Sequence, residues 1–257
     1  MDSGIYLEKH NGVGYIMINR PKANCYEINF MKEMISCIHG AENHQDIKVI
    51  VLKSALEKFF SAGADIKVFQ ANSVEQNKIL VTHAQKVATL LSESPKVTIA
   101  AINGHALGGG LELAMACDIR LGSDKPYLLG LPEIKLGLIP GNGGSQRLIR
   151  LINRTRALEL LLTGDTFDGQ EAYELGLFSQ LYPKDEFDTA VTAYAEKLAK
   201  GPAQAMSAIK KCVNQGIELS LKEGLALEDQ LVDPLYDSED AKEGLRSFLE
   251  RRDPQFK

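Results

Sequence analysis

Near its middle the chain runs Ile99-Ala-Ala-Ile-Asn-Gly-His-Ala-Leu-Gly-Gly-Gly-Leu-Glu-Leu-Ala-Met-Ala-Cys117, nineteen residues in which Glu112 is the only acidic side chain. Apolar residues precede the triple glycine Gly108-Gly-Gly110, and an apolar helical pattern follows it. The run therefore predicts a buried strand that turns tightly into a buried helix. Burying an unpaired carboxylate costs roughly the whole margin by which a domain is stable, so Glu112 is a candidate functional residue.

A second carboxylate, Glu133, lies in the run Leu128-Leu-Gly-Leu-Pro-Glu-Ile-Lys-Leu-Gly-Leu-Ile-Pro-Gly-Asn-Gly-Gly144, between an apolar segment and a glycine-rich loop. Two carboxylates in one dry pocket would indicate acid–base chemistry. From these residues alone two other interpretations stay open. Glu133 could pair with Lys135, and Glu112 could simply stabilise the start of its helix.

Strand patterns alternate with helical patterns over the first half of the chain. Alternation of this kind requires crossover connections and predicts an α/β fold with a largely parallel sheet covered by helices. The predicted strands lie at residues 5–9, 14–19, 48–53, 97–102, 118–122 and 127–131, and the predicted helices at 28–44 and 74–92.

After Gly143 the strand patterns nearly vanish and helical patterns dominate. Gly201-Pro202 is the best boundary signal, because both residues interrupt helices. We predict two regions: residues 1–200 contain the candidate site, and residues 201–257 form a helical tail of three segments. The tail carries apolar stripes that need a surface to bury against, either its own body or a neighbouring subunit.

Composition narrows the class of protein. The 257 residues have a formal net charge of −5, which gives no electrostatic reason to bind nucleic acid or an anionic membrane. No apolar run approaches the roughly 18 residues of a membrane span, and the N-terminus lacks the apolar core of a signal peptide. The four cysteines are scattered and form no Cys-x-x-Cys pair. We expect a cytoplasmic protein with no nucleic-acid or membrane partner.

Glycines follow two of the predicted strands, in Ser61-Ala-Gly-Ala-Asp-Ile66 and in Gly108-Gly-Gly110. Glycines where a strand turns into a helix allow close backbone approach and leave unpaired N–H groups that can hold an anionic oxygen. Equally well, Gly108-Gly-Gly110 could merely permit tight packing of helix against strand, and Ala62-Gly-Ala64 could be an ordinary loop. Neither site has the spacing of a Walker loop or a Rossmann fingerprint.

The remaining polar residues give weaker signals. Asp65 is best explained as a helix cap, Asp118 as a structural acid, and His105 as a strand-end histidine bonded to the backbone. No cluster of His, Asp or Glu with ligand spacing occurs, so we predict no metal site.

Six segments, in order along the whole chain, resemble the crotonase superfamily, and specifically the enoyl-CoA hydratases. They are Asn19-Arg-Pro-Lys-Ala23, Phe60-Ser-Ala-Gly-Ala-Asp-Ile-Lys67, the run from Ala101 to Ile119, the run from Leu131 to Gly144, Leu162-Thr-Gly164 and Ser238-Glu-Asp-Ala-Lys-Glu-Gly-Leu245.

This resemblance implies a spiral of ββα turns with a C-terminal helical trimerisation region, and assembly as a homotrimer or hexamer. It implies an acyl-CoA thioester as substrate, with no separate cofactor because coenzyme A is part of the substrate. Water would add to the 2,3 double bond of a trans-2-enoyl-CoA to give a 3-hydroxyacyl-CoA. By position, the resemblance assigns Glu112 and Glu133 as catalytic residues, the amides of Ala64 and Gly109 as the oxyanion hole, and Lys22, Ala23, Ala64, Asp65, Ile66, Lys67 and Gly109 as the substrate and CoA contacts.

Other activities fit parts of the pattern. An isomerase of the same superfamily needs only the carboxylate at Glu133, so the presence of Glu112 favours hydration. A dehalogenase would carry an aspartate between Leu136 and Gln146, where this chain has no acid. An RNA-binding or scaffold role is disfavoured by the negative charge. One segment, Asn24-Cys-Tyr-Glu-Ile-Asn-Phe30, departs from the commoner Asn-Ala-Leu/Met-Asn pattern of the family, which places a tyrosine near the CoA loop.

Overall fold

Ten strands and eleven α-helices make up the described part, residues 4–256, of this computed structural model. Residues 1–3 and 257, at the outer ends of the two predicted regions, lie outside the described residues. The strands are β1 (Gly4–His10), β2 (Val13–Asn19), β3 (Val49–Ser54), β4 (Phe59–Ser61), β5 (Val97–Ile102), β6 (His105–Leu107), β7 (Ile119–Ser123), β8 (Leu129–Gly130), β9 (Thr166–Phe167) and β10 (Gln180–Tyr182). The helices are α1 (Ile28–Asn43), α2 (Ile66–Ala71), α3 (Val74–Glu93), α4 (Gly109–Ala116), α5 (Gly144–Leu151), α6 (Arg154–Thr163), α7 (Gly169–Glu174), α8 (Phe187–Ala199), α9 (Ala203–Gly216), α10 (Leu221–Val232) and α11 (Glu239–Glu250), with 3₁₀ turns at Pro132–Leu136 and Asp233–Leu235.

The strands form two sheets. The larger sheet has the order β1-β2-β3-β5-β7-β10 and the smaller one the order β4-β6-β8-β9. Only the edge pairs β1–β2 and β8–β9 are antiparallel among the named strands, and all other neighbours are parallel. Parallel neighbours need crossover connections, which places helices between them.

The chain alternates between the two sheets in a regular spiral. β3 joins the larger sheet, β4 the smaller, and helices α2 and α3 follow; β5, β6 and α4 repeat this order, and β7, β8 and the first 3₁₀ turn repeat it again. Each turn of the spiral is therefore a ββα unit, and the expected spiral of ββα turns within an α/β fold is confirmed. The repeated strand-to-strand step also brings the β4 and β6 ends side by side, which positions the site described below.

Helices cover both faces of the larger sheet. Helix α1 buries the stripe Phe30, Met31, Met34 and Ile38 in the main core, at the helical spacing that the sequence predicts. On the opposite face, helix α8 packs Phe187, Val191, Ala195 and Ala199 against alternate residues of β2, β3, β5 and β7. Because successive strand residues point to opposite faces, the apolar runs of these strands serve both cores.

The sequence predicted the long elements well and the short ones poorly. The strand at 97–102 is confirmed at both ends, and α1 and α3 end within one residue of their predicted ends. The strand predicted at 127–131 shrinks to Leu129–Gly130, and the three-residue strands β4 and β6 were not predicted. Strands of two or three residues are too short to show a periodic hydrophobic pattern. They can therefore be identified only from the sheet that they join.

Three helices follow Gly201-Pro202, as the sequence predicts, and the division into regions 1–200 and 201–257 stays a prediction. Lys210 attaches α9 to the body. Its Nζ lies 2.9 Å from Asp118 Oδ2 and donates to the carbonyls of Leu91 and Lys96 at 3.1 Å. Asp118 also accepts bonds from the backbone N and hydroxyl of Thr98, which confirms it as a structural acid.

Replacing Lys210 by alanine leaves Asp118 and two carbonyls without this partner in a largely buried position. We expect Lys210→Ala to lower the free energy of unfolding by about 2–3 kcal/mol. Urea denaturation followed by circular dichroism measures the change. Its exposed neighbour offers a control, and Lys211→Ala is expected to change stability by less than about 0.5 kcal/mol. Equal effects of the two variants would contradict this role for Lys210.

Candidate active site

Glu112 lies in the first turn of α4, a helix whose eight residues are all buried. Its side chain is 0% exposed. Oε1 accepts hydrogen bonds from the backbone amides of Asn142 and Gly144, both at 2.7 Å. Within residues 4–256, Oε2 has no hydrogen-bond partner. The carboxylate is thus held by a loop from elsewhere in the chain, with one oxygen left for a ligand.

The environment of Glu112 changes its proton affinity. Burial raises the pKa of the Glu112 carboxyl to about 7, although the two amide hydrogen bonds lower it and the charge of Glu133 raises it further. A pKa near neutrality suits a group that both takes up and releases a proton.

Glu133 lies in the first turn of the 3₁₀ segment Pro132–Leu136, which ends at Gly137 in the left-handed conformation. Its Oε1 lies close to Gly108, because a Cβ added to that glycine would be only 2.8 Å from the oxygen. Its Oε2 is buried and has no hydrogen-bond partner in the described chain. Burial raises the pKa of this carboxyl as well. Lys135 does not neutralise it, because the Lys135 ammonium lies 3.8 Å from Asp165.

The amides of Ala64 and Gly109 face the same region. Ala64 pairs with Tyr26 in a parallel bridge that uses the N–H of Asp65 and the carbonyl of Gly63, so the Ala64 N–H points to the opposite side. Gly109 is the first residue of α4, where backbone N–H groups have no helical partner. Neither amide donates a hydrogen bond to any residue the structure describes.

Close backbone approach explains the glycines around these amides. A Cβ on Gly63, whose φ is +84°, would lie 3.0 Å from the Gly109 nitrogen, so the two loops are in contact. A Cβ on Gly109 would meet the Tyr26 hydroxyl at 1.8 Å, and one on Gly110 would meet the Ser61 carbonyl at 2.2 Å. Tight packing therefore accounts for all three glycines, and Gly109 in addition lines the cavity described next.

A cavity of about 140 Å³ unites these groups. Both carboxylates line it together with Ala64 and Gly109. The rest of its wall is largely apolar, formed by Ile66, Phe69, Leu80, Val81, Leu136, Leu138 and Ile139. A concave, largely apolar space with a few converging polar groups is the usual form of a small-molecule site.

The other predicted contacts lie outside this wall. Lys22 and Lys67 are exposed, and Asp65 caps α2 by accepting from the amides of Lys67 and Val68. The Ala23 carbonyl accepts from the Ala62 amide at 3.0 Å, which joins the Lys22 loop to the Ala64 loop. These residues are therefore continuous with the cavity along the backbone.

Two cavity residues were missed as site residues. The Asn142 side chain donates to the Tyr26 hydroxyl at 2.7 Å, and both residues are 4% exposed. For Tyr26 the signal was present, since it is the tyrosine in the segment that departs from the family pattern. Asn142 lies in a glycine-rich loop and gave no signal of its own.

The prediction for His105 is confirmed by its hydrogen bond. His105 accepts a hydrogen bond from the Leu128 amide, and burial together with Lys58 and Lys125 lowers its pKa, as expected of a backbone-bonded histidine. All four cysteines are free thiols. In residues 4–256 no three His, Cys, Asp or Glu side chains cluster in a way that could hold a metal ion. No helix there has the length and apolar character needed to cross a membrane.

The sequence and fold match known proteins over nearly their full length. The model of the enoyl-CoA hydratase/isomerase family matches residues 8–257. A Bacillus subtilis protein named "Probable enoyl-CoA hydratase" is 40% identical, with 99% of each chain covered. The short-chain-enoyl-CoA hydratase of Clostridium acetobutylicum is 35% identical over 97% of this chain and 96% of its own. The crystal structure of an enoyl-CoA hydratase from Bacillus anthracis superposes with a TM-score of 0.96 at 35% identity, covering 99% of both chains.

The ββα spiral is therefore that of a crotonase-fold protein. The chain belongs to the enoyl-CoA hydratase/isomerase family.

The raised pKa of Glu112 predicts a pH-dependent stability. The folded protein holds this proton more tightly than the unfolded chain, so the stabilisation is complete below the ordinary pKa of 4.5 and is lost as pH rises through about 7. We expect wild type to lose about 3 kcal/mol relative to Glu112→Gln between pH 4.5 and pH 8. Urea titrations of both proteins across this range measure the difference. A difference that does not vary with pH would show that the carboxyl titrates normally.

Proposed function

We propose that this protein is an enoyl-CoA hydratase, a hydro-lyase that adds water across the 2,3 double bond of a trans-2-enoyl-CoA. The observation that carries the proposal is the pair of buried carboxylates. Glu112 and Glu133 each have an unpartnered Oε2 in the described chain, and both line one cavity beside the amides of Ala64 and Gly109. Family membership makes an acyl-CoA thioester the natural substrate class.

In the proposed mechanism, the thioester oxygen accepts hydrogen bonds from the Ala64 and Gly109 amides. These donors stabilise the negative charge that develops as the thioester becomes an enolate, at about 3–4 kcal/mol per donor in a dry site. Glu112 removes a proton from a water molecule, the water oxygen bonds to C3, and Glu133 delivers a proton to C2. The two carboxyls interact, so they titrate as a coupled pair rather than as independent groups.

Isomerisation of a 3-enoyl-CoA is the alternative activity, because one carboxylate at Glu133 can move a proton between two carbons. The way Glu112 is held favours hydration. A carboxylate with 0% exposure and two amide donors on one oxygen is oriented, and Glu112 is one of the residues that line the cavity. Isomerisation needs only the carboxylate of Glu133, so it gives Glu112 no role.

We further propose that the CoA moiety runs along the loops of Lys22–Ala23 and Ala64–Lys67, where the exposed ammonium groups of Lys22 and Lys67 contact its phosphates. No separate cofactor takes part, since the reaction adds water without oxidation or reduction. A cytoplasmic location, without nucleic-acid or membrane partners, is part of the same proposal.

Hydration removes the conjugated enoyl thioester, so its absorbance reports the reaction directly. We expect wild type to bleach crotonyl-CoA, and Glu112→Gln and Glu133→Gln each to lower kcat by about 10²–10⁴ with little change in KM. Glu75→Gln, an exposed carboxylate at the start of α3, is the matched control and keeps the wild-type rate. The proposal fails if wild type leaves short to long 2-enoyl-CoAs untouched while it converts a 3-enoyl-CoA to the 2-enoyl isomer.

We propose that the protein forms a homo-oligomer, either a trimer or a hexamer. The exposed apolar residues of the C-terminal helices support this assembly. Phe248 and Leu249 in α11 and Leu221 in α10 are all more than 80% exposed. Burying a side chain of this size contributes about 1.5–3 kcal/mol, and several together favour a subunit interface.

We expect light scattering of purified wild type to give the mass of three or six chains, and Phe248→Glu to give smaller species. Lys222→Glu changes an exposed charge in the same region without removing apolar area, and is expected to keep the wild-type mass. A wild-type protein that is monomeric at micromolar concentration contradicts the assembly.

A further inference from the structure

The Tyr26–Asn142 pair forms a polar part of the cavity wall that the hydration mechanism does not use. The Asn142 backbone amide holds Glu112 Oε1, while its side-chain Nδ2 donates to the Tyr26 hydroxyl at 2.7 Å. Both residues line the cavity and are almost completely buried. Asn142 therefore connects the hydroxyl to the loop that orients Glu112.

This pair has hydrogen-bonding capacity to spare. The Tyr26 hydroxyl accepts from Asn142, which leaves its own hydrogen without an acceptor among the described residues. It does not reach Glu112 Oε2, which has no partner, and Asn142 Oδ1 is likewise buried without a donor. Burial and the charges of Glu112 and Glu133 raise the pKa of Tyr26, so the phenol keeps its proton. A donor and an acceptor thus stand side by side.

The hydroxyl is rigidly placed next to the reacting part of the site. It lies so close to Gly109 that a Cβ there would be 1.8 Å away, and the Gly109 amide is the proposed donor to the thioester oxygen. The Tyr26 ring packs against Phe30 with centroids 5.9 Å apart, and its backbone pairs with Ala64. A group bound to the hydroxyl would therefore belong to the first few carbons of the acyl chain.

We propose that Tyr26 and Asn142 select acyl-CoA substrates that carry a hydroxyl group on the acyl chain next to the reacting double bond. Such a hydroxyl accepts a hydrogen bond from the Tyr26 O–H and donates one to Asn142 Oδ1. Both of these protein groups then have a hydrogen-bond partner. A plain alkyl chain leaves two buried polar groups unpaired, and sites built around a substrate hydroxyl discriminate against analogues that lack it. This proposal rests on the proposed hydratase activity and assigns its substrate class.

Crotonyl-CoA and 4-hydroxybut-2-enoyl-CoA differ by one hydroxyl group and form the test pair. We expect wild type to show a kcat/KM at least about tenfold higher for the hydroxylated substrate, the factor that corresponds to one ordinary hydrogen bond. Tyr26→Phe and Asn142→Ala each lower the ratio of the two values toward one. Asn142→Ala retains the backbone amide that binds Glu112, so it also serves if Tyr26→Phe folds poorly.

Tyr127→Phe is the matched control, because Tyr127 is equally buried but its hydroxyl donates to the Ile102 carbonyl and it does not line the cavity. Its ratio is expected to equal that of wild type. A wild-type ratio near one overturns the proposal, as do Tyr26→Phe and Asn142→Ala variants that lower both values equally. The latter result would assign the pair a structural role.

Binding separates this proposal from the hydratase activity. Calorimetry with the saturated analogues 4-hydroxybutyryl-CoA and butyryl-CoA needs no turnover, and we expect wild type to bind the former about tenfold more tightly. If wild type hydrates neither substrate, the proposed hydratase function fails. The dissociation constants of 4-hydroxybutyryl-CoA and butyryl-CoA then decide by themselves whether the site is selective. A tenfold difference that Tyr26→Phe abolishes supports it, and equal constants overturn it.

Discussion

Burial of the Glu112 carboxylate is the constraint on which the rest of the site depends. Helix α4 is buried along its whole length, so a charge there is tolerated only because the 142–144 loop supplies two amide hydrogens to one oxygen. The loop can come this close only because Gly144 has no side chain, since a Cβ there would stand 2.9 Å from that oxygen. The same burial raises the pKa of the Glu112 carboxyl toward neutrality.

The ββα spiral supplies the second half of the arrangement. Successive turns place β4 beside β6, so the loop after one strand touches the turn after the other. Gly63 and Gly109 meet at this contact, and the amides of Ala64 and Gly109 remain without protein partners in the described chain. In the proposed reaction these amides stabilise the developing negative charge, because fixed donors need no reorganisation when it forms.

Asn142 links Glu112, the carboxylate that we propose reacts, to the Tyr26 hydroxyl, which we propose selects the substrate. Its backbone amide orients Glu112 and its side chain orients the Tyr26 hydroxyl. Through Tyr26, the same chain of contacts reaches Ala64 and Gly109. One residue therefore orients both the carboxylate and the hydroxyl.

Much was determined by the sequence alone. The apolar strand at 97–102, the amphipathic helix α1 and the lone acid in a buried helix are local patterns, and each follows from the nearby residues. Only the tertiary structure placed the Asn142 and Gly144 amides on Glu112 and paired Asn142 with Tyr26, 116 residues away along the chain. Short strands such as β4 and β6 carry no periodic signal, yet they set which loops meet. The sequence therefore determined which groups are chemically unusual, whereas sheet topology decided which of them share a cavity.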